Sequence, residues 1–320
     1  EANLDRYVRP YNDINNPNQP NTIIQSAGNA YTNSFSKASV DSYMASGQTP
    51  DSRDASLLVI GNPSLVQPEE VKSYEIETNW YEEWSQLCTH NCKVPQFLGS
   101  FSEGKNQWIV MEDLKTEFPV CKQHLTLNEA KVCLKWLANF HGTFFGKKPL
   151  GLWQTGTYWN LETRPDEFKK IEYLELKEKA NEIDLLLNTC TYQTIVHGDA
   201  KVANFCFSGN GKNVAAVDFQ YVGGGCGMKD VAYFLGSCLT SSECEMHEKE
   251  LLNFYFNELE KSIDIKKTDF IFTEIEQEWR ELYPVACADF TRFLLGWMPS
   301  HDKVNSYNLK KTEKVLQILN

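Results

Sequence analysis

Between Thr194 and Gln220 the chain reads TIVHGDAKVANFCFSGNGKNVAAVDFQ, and this stretch constrains the fold more than any other. Ile195 and Val196 run into a turn at Gly198 that exposes Asp199. Asn204 opens the next apolar run, and Asp218 ends a third one after the Gly/Asn turn Gly209–Gly211. Two carboxylates and an amide oxygen then converge on one point. Such a donor set suits Mg²⁺, which takes few protein oxygens and keeps the rest of its shell for water and phosphate. A carboxylate left off the metal orients an alcohol and accepts its proton, and Lys201 meets a transferring phosphate. The plainer alternative is turn-capping for Asp199, Asn204 and Asp218, and a solvated loop lysine for Lys201.

The flanks differ in character. Residues 1–22 are polar and carry three prolines, which predicts an arm. From Ile23 to Ile60 the runs TIIQ, YTNSF and SLLVI predict a small antiparallel sheet. A helix follows near 68–87, opened by Pro68 with Glu69 and Glu70 in its first turn. VPQFLGSF and QWIVMEDL predict two more strands around the turn SEGKN. Beyond residue 113 helices dominate. One spans 126–146, with the capping box Thr126-x-x-Glu129 and an apolar face of Ala130, Cys133, Leu137, Phe140 and Phe144. Others are expected over 166–189, over 242–262 behind the box Ser242-x-x-Glu245, near 273–297 and over 308–319. The fold class is therefore α+β and bilobal: an N-terminal arm over 1–22, a β-rich N-lobe over 23–112 and a mainly helical C-lobe over 113–320. A cleft between two such lobes is the expected ligand site.

The 320 residues are 42% hydrophobic and 23% charged, enough apolar surface for a core of this size. The net charge of −12 argues against nucleic acid and anionic membrane surfaces as partners. It does not argue against a nucleotide, because charges beyond about 8 Å are screened at physiological salt and a few local cations decide. No run approaches the roughly 20 apolar residues of a membrane span, and the first thirty residues hold no secretory apolar run. Ten cysteines, several inside apolar runs (Cys133, Cys206, Cys238, Cys287), predict buried thiols and a cytoplasmic location. Oligomeric state is not legible in the sequence.

Asp199 with Asn204 five residues on, followed by Asp218-Phe219-Gln220, matches the kinase arrangement of a catalytic-loop Asp, an Asn and a metal-binding Asp-Phe-x. His197-Gly198-Asp199 resembles the aminoglycoside phosphotransferase and choline kinase superfamily, which has a kinase-like fold. SYEIETNWYEEW, IVMEDL, WLANFHGTF and VDFQYVGGGCGMKDVAYFL look most like its ecdysteroid-kinase-like branch. The resemblance covers roughly residues 57–298. It implies an ATP- and Mg²⁺-dependent phosphotransferase acting on the hydroxyl of a small molecule. Asp199 is then the catalytic base and Lys201 the γ-phosphate contact. Asn204 and Asp218 hold the metal, and Met111, Glu112 and Leu114 form the adenine hinge. Asp230 braces the catalytic loop, and Glu77 is the helix glutamate that pairs with a strand lysine.

That lysine is missing: Ile60 ends the run Leu57-Leu58-Val59-Ile60 where the family has it. Lys37, Arg53 or Lys72 takes its place, the metal and Lys201 suffice, or the protein binds a nucleotide or small ligand without catalysing. The loop SAGNAYTNSF has one glycine where the kinase loop has three. His197 reads as a loop brace and His141 as a core histidine. Gly223–Cys226–Gly227 fits no dinucleotide frame and is expected to be a flexible segment. Cys88, His90 and Cys92 hint at zinc without a second ligand pair. Trp279, Tyr283, Phe290, Phe293 and Trp297 fall at helical spacing as core. Asp289 and Trp297 could line the acceptor site, where aromatic faces and acids suit a quaternary or protonated amine.

Overall fold

The apolar runs ASLLVI and NQWIVME pair as neighbouring strands at the centre of a four-stranded antiparallel sheet. In the computed structural model the described residues are 23–26, 55–60, 68–103, 106–263 and 270–320. The strands are β1 (Ile23–Ser26), β2 (Ala55–Ile60), β3 (Phe97–Glu103) and β4 (Asn106–Glu112), in the order β1-β2-β4-β3. In the register Leu57 faces Val110 and Ile60 faces Gln107. The arm over 1–22, the run YTNSF with its loop, Lys37 and Arg53 lie outside the described residues.

Between β2 and β3 runs helix α1 (Pro68–Asn79), extended by a π turn at Trp80–Trp84 and a 3₁₀ turn at Ser85–Leu87. This extension points Trp80 into the core. Its indole stacks on Phe219 at 4.5 Å and meets Phe140 and Phe144 edge-on or tilted. The sheet side is thereby fastened to the helical side. Trp136 Nε1 and Ala216 N both donate to the Lys93 carbonyl, at 2.9 and 3.0 Å. Cys92 is buried at this junction, where Thr89 N donates to its Sγ at 3.4 Å beside a short 3₁₀ turn.

After a short strand β5 (Val120–Cys121), the helical part begins with α2 (Leu127–Thr143). Thr126 caps it: its hydroxyl accepts from Glu129 N, and the Glu129 carboxylate accepts from Thr126 N. Ala130, Cys133, Leu137 and Phe140 are buried, as their spacing predicts. The expected 166–189 helix is three pieces, α3 (Pro165–Lys170), α4 (Leu174–Glu178) and α5 (Ala180–Asn188). The chain is extended at Ile171 and Tyr173, where Ile171 turns into the core. Strands β6 (Thr194–Val196), β7 (Phe205–Phe207) and β8 (Val214–Ala216) carry the central stretch. Helices α6 (Met228–Cys238), α7 (Ser241–Ser262), α8 (Phe272–Trp297) and α9 (Ser306–Leu319) complete the molecule. The cap of α7 is Thr240 with Glu243, not Ser242 with Glu245. Both pairs have the required spacing, and the extended φ/ψ of a cap falls on Thr240. No helix among the described residues is long and apolar enough to cross a membrane.

The glycine run corrects another expectation. Gly223–Gly225 is a buried strand, β9, paired antiparallel with β6. Glycine is needed there because another backbone lies against it. A Cβ on Gly223 would stand 2.3 Å from the Trp153 carbonyl oxygen, and one on Gly224 2.7 Å from that of Gln154. Gly223→Ala should therefore destabilise by about 1–3 kcal/mol through forced backbone movement. Gly236→Ala, inside α6 with nothing within 4 Å of its new methyl, should stabilise by about 0.5–1 kcal/mol. Urea unfolding midpoints measure both, and equal midpoints would contradict the packing described.

Candidate active site

The stretch from Thr194 to Gln220 is held from behind by one carboxylate. Asp230, in the first turn of α6, is fully buried. Its Oδ2 accepts from His197 N at 2.6 Å and its Oδ1 from Gly198 N at 2.9 Å. His141 Nε2 lies 3.0 Å from Oδ2, with Nδ1 of the same ring 2.7 Å from Tyr255 Oη. His141 is thus the core histidine its position predicts. His197 is a loop brace: Nδ1 accepts from Asp199 N at 3.3 Å, which leaves Nε2 to donate to Val217 O at 3.1 Å. Burial in the ring stack with Phe219 lowers its pKa and favours this neutral form.

Gly198 adopts φ 81°, and a Cβ there would stand 2.0 Å from the Tyr221 carbonyl oxygen. This close approach explains glycine between His197 and Asp199. Asp218 (φ 71°) and Thr157 (φ 112°) are the non-glycine residues with positive φ among those described. Asp218 belongs to the Thr194–Gln220 stretch, and Thr157 N donates to the same Tyr221 carbonyl at 3.2 Å. Such strain concentrates where surrounding structure over-determines a functional conformation.

Asp199, Asn204 and Asp218 meet as the sequence spacing predicts. The Asn204 amide nitrogen donates to Asp199 O at 2.8 Å and Asp199 Oδ2 at 3.1 Å, and lies 3.4 Å from Asp218 Oδ2. Lys201 Nζ completes the cluster, 2.9 Å from Asp199 Oδ2. Three buried oxygens then have no hydrogen-bond partner: Asp199 Oδ1, Asn204 Oδ1 and Asp218 Oδ1. Buried polar atoms of this kind are rare without a ligand role. Burial, then the charge of Asp199, holds the Asp218 carboxyl well above the usual carboxylate range. Two carboxylates and an amide oxygen are hard oxygen donors, and they fit a divalent cation of the Mg²⁺ type.

Glu77 reaches this cluster from α1. Its Oε1 accepts from Phe219 N at 3.1 Å, while Oε2 is buried without a partner. Among the described residues no lysine or arginine pairs with it. Lys72, one of the candidate replacement cations, lies over the Trp153 ring at 4.2 Å. Met111 and Leu114 are buried at the junction between sheet and helices, Leu114 against Phe118, Cys206 and Val217. Glu112 is half-buried and ties Lys93 Nζ at 2.5 Å and Gln96 N at 3.0 Å. Its own N–H donates to Gln96 O.

Asp289 is not brought to the cleft. It is 1% exposed, and its Oδ1 pairs with the buried Arg292 at 2.8 Å while Oδ2 accepts from Trp159 Nε1 at 2.9 Å. An acid three residues before an arginine on one helix is a legible pairing, and with Trp159 it leaves neither oxygen free. Trp297 is 43% exposed at the end of α8, stacked on Phe293 at 5.5 Å. Sequence reasoning missed Lys303, which arrives from the loop before α9 and packs over Tyr233. It also missed Tyr158, whose backbone N–H donates to Gly198 O at 3.2 Å. Neither sits in a motif, and only the tertiary fold sets their contacts.

Residues 157–268 match the ecdysteroid kinase-like family. Among solved structures the chain is similar to a microcompartment-associated aminopropanol kinase, at 16% identity and TM-score 0.53, covering 82% of this chain and 86% of that one. It is also similar to choline kinase from Cryptosporidium parvum, at 13% identity and TM-score 0.49, over 82% and 81%. An aminoglycoside phosphotransferase from Streptomyces rimosus follows at 11% and 0.43, over 73% and 86%. No curated protein matches the chain. The likeness to the aminopropanol kinase shows a kinase-like phosphotransferase fold, and the family match lies within residues 157–268.

Desolvation raises the Glu77 pKa from 4.5 to about 7. Below about pH 4.5 the carboxyl is neutral folded and unfolded, and its burial adds no charge penalty. Above about 7 it is charged in both states, and the folded state bears the desolvation cost. Stability from this group is therefore lost as pH rises through about 7. Glu77→Gln keeps the acceptor for Phe219 N and removes the titration. The variant should gain in melting temperature relative to wild type between pH 5 and pH 8. A gap that does not change with pH would contradict a buried, ionising Glu77.

Proposed function

We propose that the protein is an ATP- and Mg²⁺-dependent phosphotransferase that phosphorylates the hydroxyl group of a small molecule. The observation that carries this reading is the trio of unpartnered buried oxygens on Asp199, Asn204 and Asp218, gathered by one amide. Asn204 and Asp218 would hold Mg²⁺, which when bound neutralises charge on the nucleotide phosphates. The aminopropanol kinase with the same fold favours a small acceptor. The net charge of −12 speaks against nucleic acid or a membrane surface as partner, and ten free thiols fit a cytoplasmic setting.

The N-lobe over 23–112 would cover the nucleotide, with the backbone of Met111, Glu112 and Leu114 facing adenine. The C-lobe over 113–320 would supply the chemistry. Lys201 holds Asp199 Oδ2, so Oδ1 is the oxygen left to face an acceptor. Asp199 Oδ1 orients the hydroxyl and takes its proton as the acceptor oxygen bonds to the γ-phosphorus. The bond from that phosphorus to the bridging β–γ oxygen breaks, and ADP leaves. The work of these residues is positioning and charge stabilisation. Asp289 is left out of the acceptor site, because both of its oxygens serve the core.

Asp199→Asn should reduce phosphoryl transfer by about 10²–10⁴-fold while leaving nucleotide affinity within a few-fold. ADP release over a panel of small alcohols, paired with calorimetric titration of ATP, measures the two. Near-normal turnover would remove Asp199 from the base role. Asp218→Asn should abolish the Mg²⁺-dependent part of the thermal shift with ATP, about 2.7 kcal/mol at a hundredfold excess over Kd.

One observation favours a second reading, a catalytically silent nucleotide binder: Glu77 Oε2 meets no cation among the described residues, and Ile60 holds the lysine's place. Ile60→Lys discriminates. A large gain in ATP affinity would support the silent reading, and no gain would leave the native set of cations sufficient.

A further inference from the structure

Cys121 and Cys206 stand directly opposite each other where β5 pairs antiparallel with β7. β7 is the middle strand of its sheet, so the backbone groups of successive residues point to β5 and β8 in turn. Val217 N donates to Asn204 O at 3.0 Å, and Ser208 N donates to Asn213 O at 2.9 Å. Both bonds extend the β7–β8 register, in which Cys206 faces Ala215. Asn204, Cys206 and Ser208 therefore turn their backbone groups toward β8, and Phe205 and Phe207 turn theirs toward β5. Cys121 and Cys206 are then a pair without mutual backbone bonds. Side chains come closest at such a pair, on one face of the sheet, with Cα atoms about 4.5 Å apart. A disulfide bond spans Cα atoms about 4.4–6.8 Å apart.

The pair joins surface to core. Cys121 is exposed on the edge strand, and Cys206 is buried with Leu114, Phe118, Ala215 and Val217. Leu114 belongs to the hinge proposed above, Cys206 follows Asn204 by two residues, and Val217 precedes Asp218. Between Leu114 and Cys121 the chain turns, and Glu117 N and Phe118 N both donate to Leu114 O, at 3.2 and 2.7 Å. A bond between the two sulfurs therefore pulls on the hinge along this turn and through the buried cluster. Close-packed side chains pass on such a displacement.

We infer that Cys121 and Cys206 form a thiol pair that a low-molecular-weight disulfide converts to a cross-strand disulfide and, resting on the phosphotransferase reading of the cleft, that this bond weakens nucleotide binding at the hinge. The exposed Cys121 thiolate attacks one sulfur of the small disulfide, a mixed disulfide forms, and one small thiol leaves. The Cys206 thiolate then attacks Cys121 Sγ, and the second small thiol leaves. The two protein thiols give up two electrons and two protons, and the small disulfide takes them up as it becomes two thiols. Exposure at the sheet edge keeps the bond open to the reverse exchange, which suits a regulatory disulfide in a reducing compartment. In closing, Cys206 Sγ turns toward Cys121 and away from its packed neighbours.

The probe is glutathione disulfide, incubated with the full chain as wild type, Cys121→Ser and Cys206→Ala, followed by digestion without reduction and mass spectrometry. Thermal unfolding confirms that each variant is folded. Wild type should yield a linked peptide pair containing Cys121 and Cys206, lost on adding dithiothreitol. Cys206→Ala should stop at the mixed disulfide on Cys121, and Cys121→Ser should leave Cys206 a thiol. Calorimetric titration of MgATP should show about tenfold weaker binding in oxidised wild type, restored by dithiothreitol. Cys121→Ser treated in the same way should show no such loss. A wild type that stops at the mixed disulfide, or that links either cysteine to another partner, overturns the inference. A linked wild type with unchanged MgATP affinity overturns the control of nucleotide binding. A reduced wild type that binds no MgATP, while the linked peptides still form, overturns the phosphotransferase reading and leaves the thiol pair standing.

Discussion

Everything that faces the cleft depends on the two backbone N–H groups that Asp230 accepts, from His197 and Gly198. A buried carboxylate is costly unless its lone pairs are filled, and here two amides and the His141 ring fill them. Hydrogen bonds to a charged group contribute about 1.5–3 kcal/mol each, so this carboxylate organises the loop as well as tolerating burial. Because the two amides point inward at Asp230, the chain must turn at Gly198 with a positive φ. The turn does not expose Asp199 as its sequence suggested: the residue is fully buried, its carboxylate held by Lys201 and Asn204. His197, next in line, closes the loop against Val217 and so fixes where Asp218 begins.

A second fastening crosses from the sheet side. Trp80 stacks on Phe219, and Glu77 from the same helix accepts the Phe219 N–H. The two contacts come from residues three apart, on one face of a helix that unwinds into a π turn at Trp80. Movement of α1 must therefore move Phe219, and with it the strained backbone of Asp218. The raised pKa values of Glu77 and Asp218 share this cause: acids are confined together in a dry place. A cation entering there meets donors already aligned and pays little reorganisation, the condition under which fixed dipoles act strongly.

The parts that could be read from sequence are those whose geometry is local. Asp199, Lys201, Asn204 and Asp218 sit within one stretch of short strands and turns, and the turn residues fix their relative positions. The Thr126–Glu129 cap and the apolar face of α2 are local in the same way. What failed was decided by distant neighbours. Gly223–Gly225 looks flexible by composition, yet Trp153 and Gln154 press backbone against it and make glycine a packing requirement. Asp289 looks like a free acid beside aromatics, yet Trp159 reaches it from another segment. Thr240 and Ser242 offer the same cap spacing, and only the observed backbone separates them.

Charge shows the same division between local and distant. A net charge of −12 describes the solvent-facing surface, and at physiological salt its reach is about 8 Å. Within that distance of Asp199 the balance is set by individual side chains. Lys201 is in direct contact with its carboxylate. Acidic helices such as α7 and α8 hold several of their glutamates in pairs with lysine or arginine. Asp289, the acid most suggestive of amine recognition, is cancelled by Arg292 before its field reaches any cleft. An acidic protein thus sets a lysine directly against the buried Asp199 carboxylate. A phosphate needs that local sign, and the surface total does not supply it.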